Sequence, residues 1–475
     1  MLSRRAVLAG GAAALAASPL VARAQTSPPT VLKIAPREIV VNGKSSSVYG
    51  ISQPDGVFGL FTDVGKPFRV RVENGLDKPS LIHWHGLTPP WRQDGVPGIS
   101  GPPIPPGGSA DYDFPLTFGG TFWMHSHEGL QEQLLLAAPL IIRDQRDRPD
   151  QQEVVVLLAD FSFTPPEKIF EDLQKSGSMG GMAAMAAAGA GSSQKMGGSA
   201  AAAAPPPDLN DVKYDAFLAN LRTLADPDIV KVEPGGRALL RIINGSSMSA
   251  FHIGLGALDG ELIAVDGFEI TPIRGRSFPV ATAQRLDIRV SIPPGPGAYP
   301  VLAQLEGDRR QTGVVLVAGK GTVARVPDLA AAASPALTLD LERSLRATKP
   351  LAQRKADRVH TLNLTGEMAG YIWSINNVVW NKDVPPLAVA KGERVELVFV
   401  NQTPMSHPMH LHGHEFQVVD IDGYRFYGAV RDTILVPPNR RVTVAFDANN
   451  PGYWALHCHL LYHLDAGMFT TIRYV

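Results

Sequence analysis

Three stretches of the chain follow one template, and that internal repeat limits the fold more than any other feature. Val64-Gly65-Lys66-Pro67-Phe68-Arg69-Val70-Arg71-Val72-Glu73-Asn74 is echoed by Pro234 to Asn244 and again by Lys391 to Asn401. Each copy has a turn glycine (Gly65, Gly235, Gly392), an alternating run, and an asparagine nine residues after that glycine. Twelve residues beyond each asparagine stands another glycine: Gly86, Gly256 and Gly413. A Pro-Pro step (Pro105-Pro106, Pro293-Pro294, Pro437-Pro438) then opens a strand that leads to Gly120, Gly297 or Gly452 and a last strand. Turn residues could match once by chance; two landmarks in register across three copies cannot be explained that way. Period-two alternation between turn signals predicts strands. Strand-rich units of roughly 110–170 residues predict an all-β chain of three small β-sandwiches or Greek-key barrels in series. They are placed at 30–148, 150–325 and 340–475.

Composition narrows the class. The chain is 44% hydrophobic and 19% charged with a net charge of −1, which gives no basic footprint for nucleic acid. Residues 1–24 read as an export signal: Ser3-Arg4-Arg5 is a charged start, an Ala-rich apolar stretch follows, and Ala22-Arg23-Ala24 is a small-residue cleavage site. The paired arginines resemble a twin-arginine signal and imply a bacterial periplasmic protein. The apolar stretch is shorter than the roughly 20 residues that cross a bilayer, and no other segment qualifies, so no membrane span is expected. Residues 176–207, rich in Ser, Gly, Ala and Met and ending in three prolines, read as a flexible insert within the second unit. A monomer is expected.

The chemistry lies in the histidines. Of 13, ten fall in four clusters near the ends of the first and third copies: His83-Trp84-His85, His125-Ser126-His127, His407-Pro408-Met409-His410-Leu411-His412, and His457-Cys458-His459 with His463 beyond. On a strand, alternate side chains share a face, so each His-x-His step aims two imidazoles one way. Four such steps (83/85, 125/127, 410/412, 457/459) offer eight imidazoles. Cys458, the only cysteine, sits between two of them and points to the opposite face, as does His407, three residues before His410. His463 follows Cys458 by five residues, and Met468 follows by five more. A thiolate, two imidazoles and a weak thioether form the ligand set of a blue-copper electron-transfer site. The sequence thus proposes two metal centres joined through a three-residue strand and separated by about 10 Å. Zinc has no use for a His2Cys set with a distant methionine, nor for eight imidazoles. In the second copy the matching positions hold Ile253, Leu255, Leu302 and Gln304, so that unit has lost its ligands; His252 is out of register and reads as structural. In the first copy Ser126 replaces the cysteine. The eight-imidazole centre is therefore expected where the first and third units meet, with the second as a spacer.

At these residues the chain resembles the three-domain multicopper oxidases, the family of laccases and bacterial cuprous oxidases. The likeness covers nearly the whole mature chain. It implies three cupredoxin-like Greek-key β-sandwich domains holding four copper ions. By motif position, Cys458, His407, His463 and axial Met468 would hold the type 1 copper. His83 and His410 would hold type 2, and His85, His125, His127, His412, His457 and His459 the type 3 pair. The resemblance implies one-electron oxidation of a phenol, an aromatic amine or Cu(I). Electrons would enter through an exposed edge of His407 or His463, and dioxygen would be reduced to water across the His457-Cys458-His459 strand. Asp94, eleven residues after His83, occupies the place where the family keeps an acid beside the cluster. The family's cuprous oxidases often carry glutamate just after the last histidine. Here Leu464 stands there, which leaves the second proton donor unassigned, with Asp465 as a weak candidate.

Two features point to Cu(I) as a substrate. Met405 lies where cuprous oxidases place a substrate methionine, and Met179, Met182, Met185 and Met196 put soft thioethers in the insert. Against this, the acid that accompanies that methionine in the family has become Thr403. Two other classes stay open: a primarily copper-tolerance protein, or a non-enzymatic exported protein that buffers copper or serves as a cell-division scaffold. Relatives of the scaffold kind have vacant ligand positions, which this chain does not.

Overall fold

The computed structural model describes residues 28–145, 150–175 and 209–475, and strands dominate it. In the first copy, Lys44–Ser52, Thr30–Val41, Pro67–Asn74 and Ser109–Pro115 form one sheet, faced by Leu60–Asp63, Ala137–Arg143, Gly120–His125 and His83–His85. The second copy has a six-stranded and a five-stranded sheet, the third a seven-stranded and a five-stranded one. The chain is thus an all-β protein of paired sheets, as the repeat predicts. The export signal at 1–24 and the insert with Met179, Met182, Met185 and Met196 lie outside the described residues. Among the described residues no helix is long and apolar enough to cross a membrane.

The repeated run is the same strand in every copy. It pairs parallel with its unit's opening strand (Thr30–Val41, Gln152–Phe161 or Arg358–Glu367) and antiparallel with a later one (Ser109–Pro115, Arg285–Ser291 or Arg441–Asp447). Its alternation has a physical cause. Phe68, Val70 and Val72 face the core, while Arg69 and Arg71 point outward and pair across the strands with Asp113 and Asp111.

The repeated asparagine fastens one sheet to the other. Its side-chain Nδ2 donates to a nearby loop carbonyl (Lys78, Ser249 or Met405) and to a more distant one, in the opposite sheet in the second and third copies (Val280, Val436) and in a loop in the first (Ile104). Its Oδ1 accepts the amide two residues on, at Leu76, Ser246 or Thr403. This local turn aims the chain at the next strand, which in the first and third copies carries the histidines. Gly86 and Gly413, which end those strands, have φ of +88° and +65°, a conformation glycine adopts without strain. At Gly413 a side chain would also meet the Trp454 ring at 2.2 Å.

Candidate metal centre

Pairing of the strands brings the His-x-His steps together. His83 lies opposite His125 in the first copy; in the third, His410 lies opposite His457 and Met409 opposite Cys458. The two copies meet through these rings. His83 is 3.9 Å from His412 and His85 is 3.8 Å from His410, centroid to centroid, and His127 is 5.0 Å from His457. His459 lies 5.0 Å from both His85 and His125. Within His83/His410/His412, His83/His85/His125 and His127/His412/His457, the ring nitrogens lie within 4.8 Å of one another.

Hydrogen bonds sort several of these rings into an anchored nitrogen and an inward one. His83 Nδ1 donates to the Asp94 carbonyl at 2.8 Å, and His410 Nδ1 to the Asp432 carbonyl at 2.8 Å. His412 Nδ1 donates to Asp94 Oδ2 at 2.8 Å, and His457 Nδ1 to the Cys458 carbonyl at 2.9 Å. His125 Nδ1 sits 2.7 Å from Glu132 Oε2. The inward atoms, His83 Nε2, His85 Nδ1, His125 Nε2, His410 Nε2 and His459 Nε2, are buried with no hydrogen-bond partner. Buried polar atoms seldom go unpaired, and rings fixed at one nitrogen and bare at the other are the arrangement of metal ligands. Burial, helped by the neighbouring rings, holds His85, His125, His127, His410, His412, His457 and His459 well below the usual histidine range. They are therefore neutral, which is the form that binds metal.

A second group forms on the far side of the last strand. Cys458 Sγ lies 3.6 Å from His407 Nδ1 and 3.9 Å from His463 Nδ1, and those nitrogens are 3.2 Å apart. Cys458 ends its strand, a helical turn at Leu461–Asp465 swings His463 back, and the Cys458 amide donates to the Met468 carbonyl at 3.0 Å. Met468 is fully buried. Trp373 stacks on His463 at 3.9 Å. Burial pushes the Cys458 thiol up, so a metal arriving there displaces its proton. A buried Cys-His-His set of this kind fits copper.

One expectation is corrected. Neither His407 nor His463 has an exposed edge: both are fully buried. His407 Nε2 donates to Thr403 Oγ1 at 2.6 Å, and His463 Nε2 donates to Asp211 Oδ2 at 2.9 Å. Thr403, which replaces the expected acid, thus caps the His407 ring. Asp211 also accepts from the Tyr371 hydroxyl at 2.6 Å. Asp211 lies just after the insert, and nothing in its local sequence signals the role.

Glu132 also escaped the sequence reading. It sits in the turn Gln131–Leu134, and burial pushes its carboxyl well above the usual range. With Asp465, His125, His127, His457 and His459 it lines a cavity of about 90 Å³. Three consecutive polar residues (Gln131, Glu132, Gln133) between Leu130 and the apolar run Leu134-Leu135-Leu136 were the available signal, since buried polar residues need partners. Asp94 is brought between His83 and His412 by a tight loop. At Gly95 a side chain would come within 1.9 Å of the Ile82 carbonyl. In the second copy, Ile253 and Leu255 are core residues, and His252 donates to the Pro335 carbonyl at 3.0 Å.

Comparison with known proteins agrees with this geometry. Three family models, each described as multicopper oxidase, match residues 51–147, 152–320 and 353–475. The chain is 31% identical to a multicopper oxidase, MmcO, of Mycobacterium tuberculosis, over 91% of this chain and 83% of that one. It is 29% identical to a copper resistance protein A homolog of Pseudomonas syringae pv. tomato, over 86% of each. Among solved structures, Fet3p, a multicopper oxidase that functions in iron import, superposes with a TM-score of 0.77 at 20% identity over 94% of this chain and 90% of that one. The laccase of Botrytis aclada gives 0.74 at 22% identity over 94% and 88%.

Proposed function

Because the chain belongs to the multicopper oxidase family, its acceptor is dioxygen, and we propose that Cu(I) is a principal reductant alongside small phenols and aromatic amines. Copper bound in the two ligand groups supplies one-electron acceptance at the cysteine site and four-electron reduction of dioxygen to water at the eight-imidazole site. We assign Cys458, His407, His463 and Met468 to the former. His83 and His410 fall to type 2, and His85, His125, His127, His412, His457 and His459 to type 3. The peptide links from Cys458 to His457 and His459 join the centres covalently. Asp94 holds rings of the first and third copies together. Glu132, its carboxyl pushed well above the usual range by burial and lining the cavity, is the acid that the sequence left unassigned, placed to pass a proton beside His125.

The observation behind the Cu(I) reading is a narrow pocket at the type 1 end. Its cavity is small, about 20 Å³, and Met405, Met248, Glu306 and Ser406 are among its lining residues. Thioethers are soft donors suited to Cu(I). Both His407 and His463 are covered, so a bulky reductant has no direct contact with either ring. The described residues flanking the Met-rich insert also lie here. Phe170 is 6.0 Å from the Tyr462 ring, and Asp211 bonds His463.

Met405→Leu is expected to raise the KM for Cu(I) about tenfold, a loss of about 1.4 kcal/mol, while phenol kinetics stay as they are. Deleting 176–207 is expected to slow Cu(I) turnover selectively. Cu(I) and phenol turnover both unchanged in the two variants would show that neither the pocket nor the insert handles substrate. We further propose periplasmic export through Arg4 and Arg5. An Arg4→Lys/Arg5→Lys precursor should accumulate in the cytoplasm, and normal export of that precursor would refute this.

A further inference from the structure

None of the residues assigned to the two copper centres lies in the second copy, yet its side chains reach the eight-imidazole centre. We propose that Arg285, in the second copy's strand Arg285–Ser291, is a positioning residue for that centre: it fixes Asp432 so that His85 presents Nδ1, and not Nε2, to the metal. The inference rests on the family's copper centre and not on which reductant the enzyme uses.

Arg285 is fully buried, and every N–H of its guanidinium is used. Nε donates to the Thr121 carbonyl at 3.1 Å. Nη1 donates to the Ala283 carbonyl at 3.0 Å and to Asp432 Oδ1 at 2.8 Å. Nη2 donates to the Asp266 carbonyl at 3.0 Å and to Asp432 Oδ2. One cation thus ties the first copy (Thr121), its own copy (Ala283, Asp266) and the third (Asp432). Gripped at both oxygens, the carboxylate of Asp432 has a single orientation.

That orientation matters to His85. Asp432 Oδ1 lies 3.1 Å from His85 Nε2, and Thr433 Oγ1 lies 3.2 Å from the same nitrogen. Thr433 in turn donates its own hydroxyl hydrogen to Asp432 Oδ1 at 2.9 Å. Two acceptors at Nε2 place the proton there, so the lone pair is on Nδ1. Nδ1 is the buried, unpartnered atom of His85, whereas in His83, His125, His410 and His459 the unpartnered atom is Nε2. The backbone of the same residue does the opposite for His410, since the Asp432 carbonyl accepts from His410 Nδ1 at 2.8 Å. The two rings stack at 3.8 Å with 16° between planes, presenting different nitrogens, and Asp432 sets both. Gln284, next to Arg285, steadies the adjoining residue by donating to the Thr433 carbonyl at 3.1 Å.

Gly86 makes room for this arrangement. A side chain there would come within 2.6 Å of Arg285 Nη2 and 2.7 Å of Asp432 Oδ2. The repeat glycine of the first copy therefore also admits the second copy's arginine behind the ligand strand. His85, His410 and Asp432 could in principle ligate an ion as a trio, their donor atoms lying within 4.8 Å. Arg285 argues against Asp432 as a ligand: it occupies both oxygens and sets a positive charge where a cation would sit.

The test uses the full chain loaded with copper ions and compares Asp432→Asn and Arg285→Lys with Glu342→Gln. Glu342 accepts from Arg431 at 2.9 Å in the neighbouring part of the same buried charge cluster, and Arg431 bonds Asp266, so its loss weakens the junction without touching a histidine. An asparagine at 432 that accepts from Arg285 turns its amide N–H toward His85 and favours the wrong ring nitrogen. Asp432→Asn and Arg285→Lys are expected to keep the blue absorption of the Cys458 site. Copper affinity at the eight-imidazole centre should fall about 10–100-fold, read as fewer than four ions per chain after dialysis against a chelator and as a new EPR signal from an uncoupled ion. Glu342→Gln is expected to keep four ions and an unchanged spectrum, whatever its melting temperature. The proposal is overturned if Asp432→Asn and Arg285→Lys keep four ions with the parent EPR signal. It is equally overturned if all three variants lose copper alike.

Discussion

Cys458→Ser is expected to give a folded, colourless protein that binds three copper ions and consumes no oxygen with any reductant. The sulfur is the one soft donor lying between His407 Nδ1 and His463 Nδ1, 3.6 Å and 3.9 Å away. A serine hydroxyl keeps the volume but cannot supply a thiolate to copper. The fold should survive, because the chain already contains the experiment: Ser126 holds the equivalent place between His125 and His127 in the first copy. The flanking rings of His457 and His459 point to the other face, and His457 Nδ1 keeps its bond to the residue-458 carbonyl, so the eight-imidazole centre should load normally. Metal analysis, the absorption spectrum and an oxygen electrode read the three parts separately. Surviving blue colour or surviving turnover would remove Cys458 from its assigned place.

Asp94→Asn is the second large effect. Asp94 uses its carbonyl for His83 and its carboxylate Oδ2 for His412, one ring from each of two copies, and its Oδ1 has no hydrogen-bond partner. Asparagine retains the carbonyl and an oxygen able to accept from His412, so copper content and colour should persist. What it loses is the ionisable oxygen beside the cluster. Oxygen reduction at saturating reductant is expected to fall about 10–100-fold, the usual cost of altering a group that supports metal ligands. Reoxidation of the fully reduced enzyme by dioxygen measures this without involving the reductant. An unimpaired rate would leave Asp94 a turn residue.

Much of this was legible in the sequence because the relevant physics is local. Strand alternation places two imidazoles on one face and Cys458 on the other, and the repeat shows which strands are equivalent. The repeated asparagine was visible as a pattern, though its job of pinning one sheet to the other was not. His463 could be listed as a ligand but not placed by counting, since Leu461–Asp465 is a helical turn and strand parity fails there. Asp211 and Arg285 were invisible for another reason: each acts on a partner that the fold brings near. Asp211 meets His463 across 252 residues, and Arg285 meets Asp432 across 147. The expected exposed histidine edge failed on the same ground, because the Asp211 cap arrives from the second copy. The reading of that copy as a spacer was incomplete for this reason too.

The central claim is that the eight inward rings and the Cys-His-His set work as one four-electron device. Dioxygen uptake by copper-loaded protein, titrated against a one-electron reductant with peroxide assayed in the same vessel, tests it most directly. One dioxygen is expected to be consumed for every four electrons, with no hydrogen peroxide released. Peroxide appearing at one per two electrons, or copper binding with no uptake at all, would contradict it.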